Sequence, residues 1–161
     1  MSDAKVHAVE RLVEFEAAVR TFADKAKGAM GANQMEIRRA FDFLEAQLAM
    51  WKSEIRKAED DVLQAKNELA RRRMMKYLDR PPDTTEQEKQ LRRAQAKLAY
   101  AEEKRDNTKR WLRLLPDAVE EYDGQARPFN DMLEYDVAKM AWFLEQKIAS
   151  LDAYKNMGGT P

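Results

Sequence analysis

Apolar residues recur at Ile37, Phe41, Leu44, Leu48, Trp51, Ile55, Ala58, Val62, Ala65 and Leu69, in steps that alternate four and three. A row repeating every 3.5 residues is a heptad seam. It predicts one continuous helix that lays this stripe against another helix. No Gly or Pro falls inside it. A second row, Ala8, Leu12, Phe15, Val19, Phe22, Ala26 and Ala29, predicts a first helix over 3–30, widened by Val9 and Val13. Gly28 and Gly31 bracket its end, and each Gly inside a helix costs about 1 kcal/mol relative to Ala. Asn33 followed by Glu36 has the spacing of a capping pair. The pattern therefore predicts a turn near Gly31, with a bent but continuous helix as the alternative. A second helix is expected over 34–79.

Arg80-Pro81-Pro82-Asp83 stops that helix, because Pro cannot continue the ladder and restricts the residue before it. Asp83, Thr84 and Thr85, each three residues ahead of Glu86, Gln87 and Glu88, read as a new helix start. The third helix, over 85–115, carries Leu91, Ala94, Leu98, Ala101, Arg105, Thr108, Leu112 and Leu115 at seam spacing. Pro116 predicts a break or kink, and Asp123-Gly124 a helix end. A last helix over 128–156 is expected to face Leu133, Val137, Met140, Leu144, Ile148 and Leu151 inward. Residues 157–161 are expected to form a flexible tail.

These elements predict an all-α, single-domain fold. A four-helix bundle (3–60 and 101–156) would carry a projecting antiparallel two-helix coiled-coil stalk (61–100) with its tip at Pro81-Pro82. The aromatic residues follow the division. Phe15, Phe22, Phe41, Phe43, Trp51, Trp111, Phe129, Trp142 and Phe143 fall in the bundle half, while the stalk holds only Tyr77 and Tyr100.

Composition sharpens this picture. Charged residues make up 36% and apolar residues 44%, the profile of long helices with charged surfaces. The formal net charge is zero, so no overall field draws the chain to nucleic acid or membrane. The charge is nevertheless polarised. Residues 66–97 hold ten bases against five acids, a net of +5, and 117–161 hold nine acids against four bases, a net of −5. There is no Cys, which removes disulfides, thiolate metal sites and cysteine nucleophiles. The first residues lack the pattern of a signal peptide, and no run of about 18 apolar residues marks a membrane span. A cytoplasmic protein is the expectation, with leaderless secretion as the alternative.

Candidate chemistry is sparse. His7 is the only histidine, which excludes a di-iron bundle built on paired Glu-x-x-His motifs. A Ser-His-Asp arrangement would need His7 in the first helical turns with Ser53 or Ser150. The acids Asp117, Glu120, Glu121, Asp123, Asp131, Glu134 and Asp136 lack the spacing of a calcium loop and read as a solvated face. There is no Gly-rich phosphate loop. No catalytic residue, metal ligand or cofactor is therefore expected, and the chain reads as non-enzymatic.

One stretch stands out. Arg71, Arg72, Arg73, Met74, Met75, Lys76, Tyr77 and Leu78, with Arg80, join a basic cluster to apolar residues where the seam fails. Arg and Met are enriched at interface cores, and Met adapts to irregular surfaces. This tip is expected to dock an acidic partner, most simply a protein. The bland reading is a solvated helix end whose bases suit the helix dipole. The functional expectation is a coiled-coil adaptor or assembly subunit, including self-assembly. The alternatives are a nucleic-acid-binding hairpin or a peripheral membrane-binding bundle.

Overall fold

The computed structural model describes the backbone of residues 2–75 and 82–157, and the side chains of 7–75, 82–155 and 157. The protein is all-α. Helix α1 spans Ser2–Met74 and α2 spans Thr85–Asp131; a π-helical turn, Met132–Asp136, leads into α3, Val137–Met157. Among the described residues there is no strand. Two long helices thus stand where the sequence pattern placed four shorter ones.

Neither expected interruption occurs. Helix α1 passes through Gly28 and Gly31 without a turn, and a Cβ added at either would meet nothing within 4 Å. The reason is the heptad frame. Counting back by sevens from Ile37 reaches Met30, Ala23, Glu16 and Val9, and the row between them is Ala26, Val19 and Leu12. Every one of these is buried or half-buried. The gain from a stripe that continues in register outweighs two glycine penalties of about 1 kcal/mol each. Asn33 does not restart a helix; its amide donates to Tyr122 Oη at 3.1 Å. Likewise α2 runs through Pro116, Gly124 and Pro128. Both prolines are exposed, so the carbonyl that each leaves without a donor lies on the wet side of the helix.

The chain divides into two compact units, Met1–Ile37 with Val119–Pro161, and Arg38–Ala118. In the first, α1 runs antiparallel to the chain's last third. Gln34 Nε2 donates to Asp123 Oδ1 at 3.0 Å, and Arg20 Nη2 reaches Glu145 Oε2 at 3.3 Å. Its core is small: Val19, Leu133, Val137 and Ala141, backed by Ala23, Ala26, Met132 and Leu144. Phe15 and Phe22, expected inward, are each 51% exposed. The uninterrupted frame puts Glu16 and Ala23 where a separate first helix would have put the two phenylalanines.

The far helix holds a second correction. Its buried row steps Val119, Tyr122, Ala126, Asn130, Leu133, Val137, Ala141, Leu144 and Ile148. Steps of four fall twice in succession on each side of Leu133. One extra residue has entered the helix there, and the π turn accommodates it: the Val137 N–H donates to Met132 O, five residues back. The row moves on by one position. Ala141 is buried in place of Met140, which is 40% exposed, and Leu151 is 41% exposed.

In the second unit, α1 and α2 are antiparallel. Lys97 Nζ meets Asp61 Oδ2 at 3.0 Å, and Arg73 Nη2 meets Glu88 Oε1 at 3.2 Å. All nine of its seam residues from Phe41 to Leu69 are buried or half-buried, with Ala58 fully buried and Ile55, Val62 and Leu69 nearly so. The facing row includes Ala101 and Thr108 as its buried members. The Thr108 hydroxyl is satisfied by donating to Lys104 O at 2.8 Å.

The open space around Gly31 generates a test. In a helix, Gly31→Ala raises stability by about 1 kcal/mol; in a turn it would lower it. Urea unfolding followed by circular dichroism distinguishes the two, and the expected outcome is a higher midpoint. Leu133→Ala is expected to cost about 2–5 kcal/mol, and Phe15→Ala far less.

Candidate functional site

The tip residues fall into three groups. Arg71, Arg72 and Arg73 form the last turn of α1, where the carbonyl end of the helix dipole favours cations. Met74 closes the helix, and the Met75 N–H bonds Arg72 O at 3.2 Å, a shorter-range bond that tightens the end. Lys76, Tyr77, Leu78 and Arg80, with Pro81, lie outside the described residues.

Two of the three arginines bond to the tip's own structure. Arg72 occupies the seam position after Leu69 and is half-buried. Its Nε donates to Asp83 O at 3.4 Å. Arg73 bonds Glu88. On the other side, Asp83 Oδ1 accepts the Thr85 N–H at 3.0 Å, and the Glu88 N–H donates to Thr84 O at 2.9 Å. The Thr84 hydroxyl donates to Glu88 Oε1 at 3.0 Å. This is the helix start that the Asp-Thr-Thr run anticipated, with Asp83 and Glu88 also serving as anchors for α1. Outward face Arg71, Met74 and Met75, with Met74 82% exposed and Met75 51% exposed. An outward cation beside two exposed methionines can engage an acidic, partly apolar surface.

The hydrogen bonds fix the charge of the anchors. The Thr85 backbone N–H, aided by the Thr85 hydroxyl and the charge of Arg72, holds the Asp83 carboxyl below the usual range. The Thr84 hydroxyl and then Arg73 do the same for Glu88.

Sequence reasoning missed a second surface, on the unit Arg38–Ala118. A groove of about 720 Å³ is lined by Phe43, Trp51, Tyr100, Lys104 and Trp111 among others. Trp51 and Tyr100 meet edge to face at 6.0 Å between ring centres. Lys104 Nζ sits 5.1 Å over the Tyr100 ring. The heptad frame places Phe43 and Met50 at one position, seven apart, just outside the seam of α1. Tyr100, Asn107 and Leu114 repeat the arrangement on α2. That spacing is visible in the sequence, but the division into bundle and stalk puts Phe43, Trp51 and Trp111 in one and Tyr100 in the other. The groove lining contains no carboxylate, histidine or serine.

Elsewhere, His7 Nδ1 lies 3.4 Å from Glu10 Oε2 on an exposed helix surface, and Ser150 Oγ donates to Gln146 O at 2.9 Å. Among the described residues no group of three or more His, Asp or Glu side chains is placed to hold a metal ion. No helix among them is long and apolar enough to cross a membrane.

Because the folded tip lowers both carboxyl pKa values, the stability they contribute is complete above the unfolded carboxylate range. It is lost as pH falls from about 5 through the folded values. The expected result is that Asp83→Asn with Glu88→Gln lowers the urea midpoint at neutral pH. The same pair flattens the decline of that midpoint in acid; an unchanged acid profile would contradict the assignment.

No family model, no curated protein and no solved structure matches this chain.

Proposed function

We propose that the protein is a non-enzymatic interaction protein, an adaptor or assembly subunit, whose antiparallel α1–α2 stalk presents a basic, methionine-bearing tip to an acidic protein partner. The observation that carries this reading is the division of labour among the tip residues. Arg72 and Arg73 are committed to closing the tip on Asp83 and Glu88. Arg71 and Met74 are left on the outer surface, Met74 at 82% exposure. A large apolar side chain so exposed and flanked by a cation suits an interface better than a solvated end. Rigid display is the mechanism. The seam beneath, from Ile55 to Leu69, holds the end of α1 against α2, which limits the ordering cost that Arg71 and Met74 add on binding.

Nucleic-acid binding is the weaker reading. The only described aromatic residue of the stalk, Tyr100, is engaged with Trp51 and Lys104, so a stacking platform near the tip is lacking. Glu86 and Glu88 also open α2 beside the arginines.

The test is affinity capture with the wild-type chain, with Arg71→Glu plus Met74→Ser, and with Glu103→Lys on α2 as a control. The expected outcome is a protein held by the wild type and the control but lost from the tip variant. Equal capture by all three would overturn the tip assignment. Capture of nucleic acid, falling steeply with salt, would replace it with the second reading.

A further inference from the structure

The aromatic face of the unit Arg38–Ala118 lacks a second layer. Phe43 is 61% exposed, Met50 41%, Tyr100 54%, Trp111 56% and Leu114 49%. All five lie on one flank. Two antiparallel helices put the same side of their heptads on the same face, so Phe43 and Met50 of α1 share a flank with Tyr100, Trp111 and Leu114 of α2, and Phe43, Tyr100 and Trp111 line one groove there. A helix pair buries one stripe only. These side chains are what a second pair of helices would cover.

We infer that this face is covered by the same face of a second copy of the chain, so that the four-helix arrangement forms between two molecules. Three observations select that occupant. The first is area. With about 200 Å² for a large side chain, five half-exposed ones present about 500 Å² per copy, and two copies would bury about 1,000 Å² from these residues alone, the lower bound for a specific interface.

The second is charge. The unit as a whole carries twenty bases and fifteen acids, but its excess lies in 66–97. Residues 38–65 with 98–118, which bear the aromatic face, hold ten acids and ten bases. The segment is therefore neutral as a whole, with the groove's Lys104 and Arg110 on the same flank as the acids Glu54 and Asp61. The exposed phenylalanines of the other unit, Phe15 and Phe22, lack that advantage. Their unit holds fourteen acids against nine bases, a net of −5 that opposes its own kind.

The third is the rim. Lys57 pairs with Glu54 at 2.8 Å and Lys97 with Asp61 at 3.0 Å on the same flank, so both signs border the apolar centre. A two-fold interface requires a self-complementary patch, and a border of mixed sign supplies one. A strongly acidic or basic foreign partner would find no matching field.

The test is sedimentation of the full chain over a concentration series. The wild type is expected to approach twice the 18.7 kDa of one chain and to remain so in high salt, because the contact is apolar. Phe43→Lys with Trp111→Glu is expected to sediment as a monomer with unchanged helical circular dichroism. The milder Trp111→Ala should weaken association by about tenfold or more and guards against a folding defect in the double variant. Phe22→Lys, on the other unit, should leave association intact. A chain monomeric at every concentration overturns the inference. So does a dimer that survives both groove variants, or one abolished only by Phe22→Lys.

Discussion

A pair of helices has a single line of contact, and that restriction governs this protein. The heptad seam from Ile37 to Leu69 satisfies it, with Ala58 at the fully buried centre. Whatever is apolar but off that line must stay in water or find another surface. In the unit of Met1–Ile37 with Val119–Pro161, the line is held by four buried residues, Val19, Leu133, Val137 and Ala141. Polar contacts supplement it on the flanks, from Arg20 to Glu145 and from Gln34 to Asp123. The hydrophobic gain per residue is modest in such an arrangement, so capping and register carry a larger share of the organisation than in a layered core.

The tip shows how sequence-local chemistry and register cooperate. Arg72 is at the same time a seam residue and a donor to Asp83 O; Arg73 meets Glu88, which is also tied to Thr84. A run of three arginines is therefore not one feature. Helical periodicity sends consecutive residues about 100° apart, so two of them serve the fold and the third faces away.

Much of the fold was legible because periodicity is a repeated signal. The seam on α1, the row on the early part of α2 and the capped start at Asp83–Thr85 all emerge from spacing alone. The errors have a common source. Gly31, Pro116, Gly124 and Pro128 read as local stops, although each is a single penalty set against a stripe that continues on both sides, in register at Gly31 and Pro116 and with a one-residue shift beyond Gly124. With the false stop at Gly31, the first helix acquired a free choice of phase, and Phe15 and Phe22 were turned inward. The tip was found by composition, yet the roles of its three arginines needed coordinates. The aromatic groove is hidden by the division into bundle and stalk, which separates Tyr100 from Phe43, Trp51 and Trp111 although all four line it.

The π turn at Met132–Asp136 leaves a lasting mark on how this helix tolerates change in length. It already holds one residue more than the seven-residue rhythm requires. Deleting a single residue within it would return the downstream helix to that rhythm rather than disturb it, with Val137, Ala141, Leu144 and Ile148 keeping their inward places. A deletion in most helices shifts every following side chain off its partner. Here the same event leaves those partners in place, so this short stretch is a point at which the chain can lose a residue while its helices stay side by side.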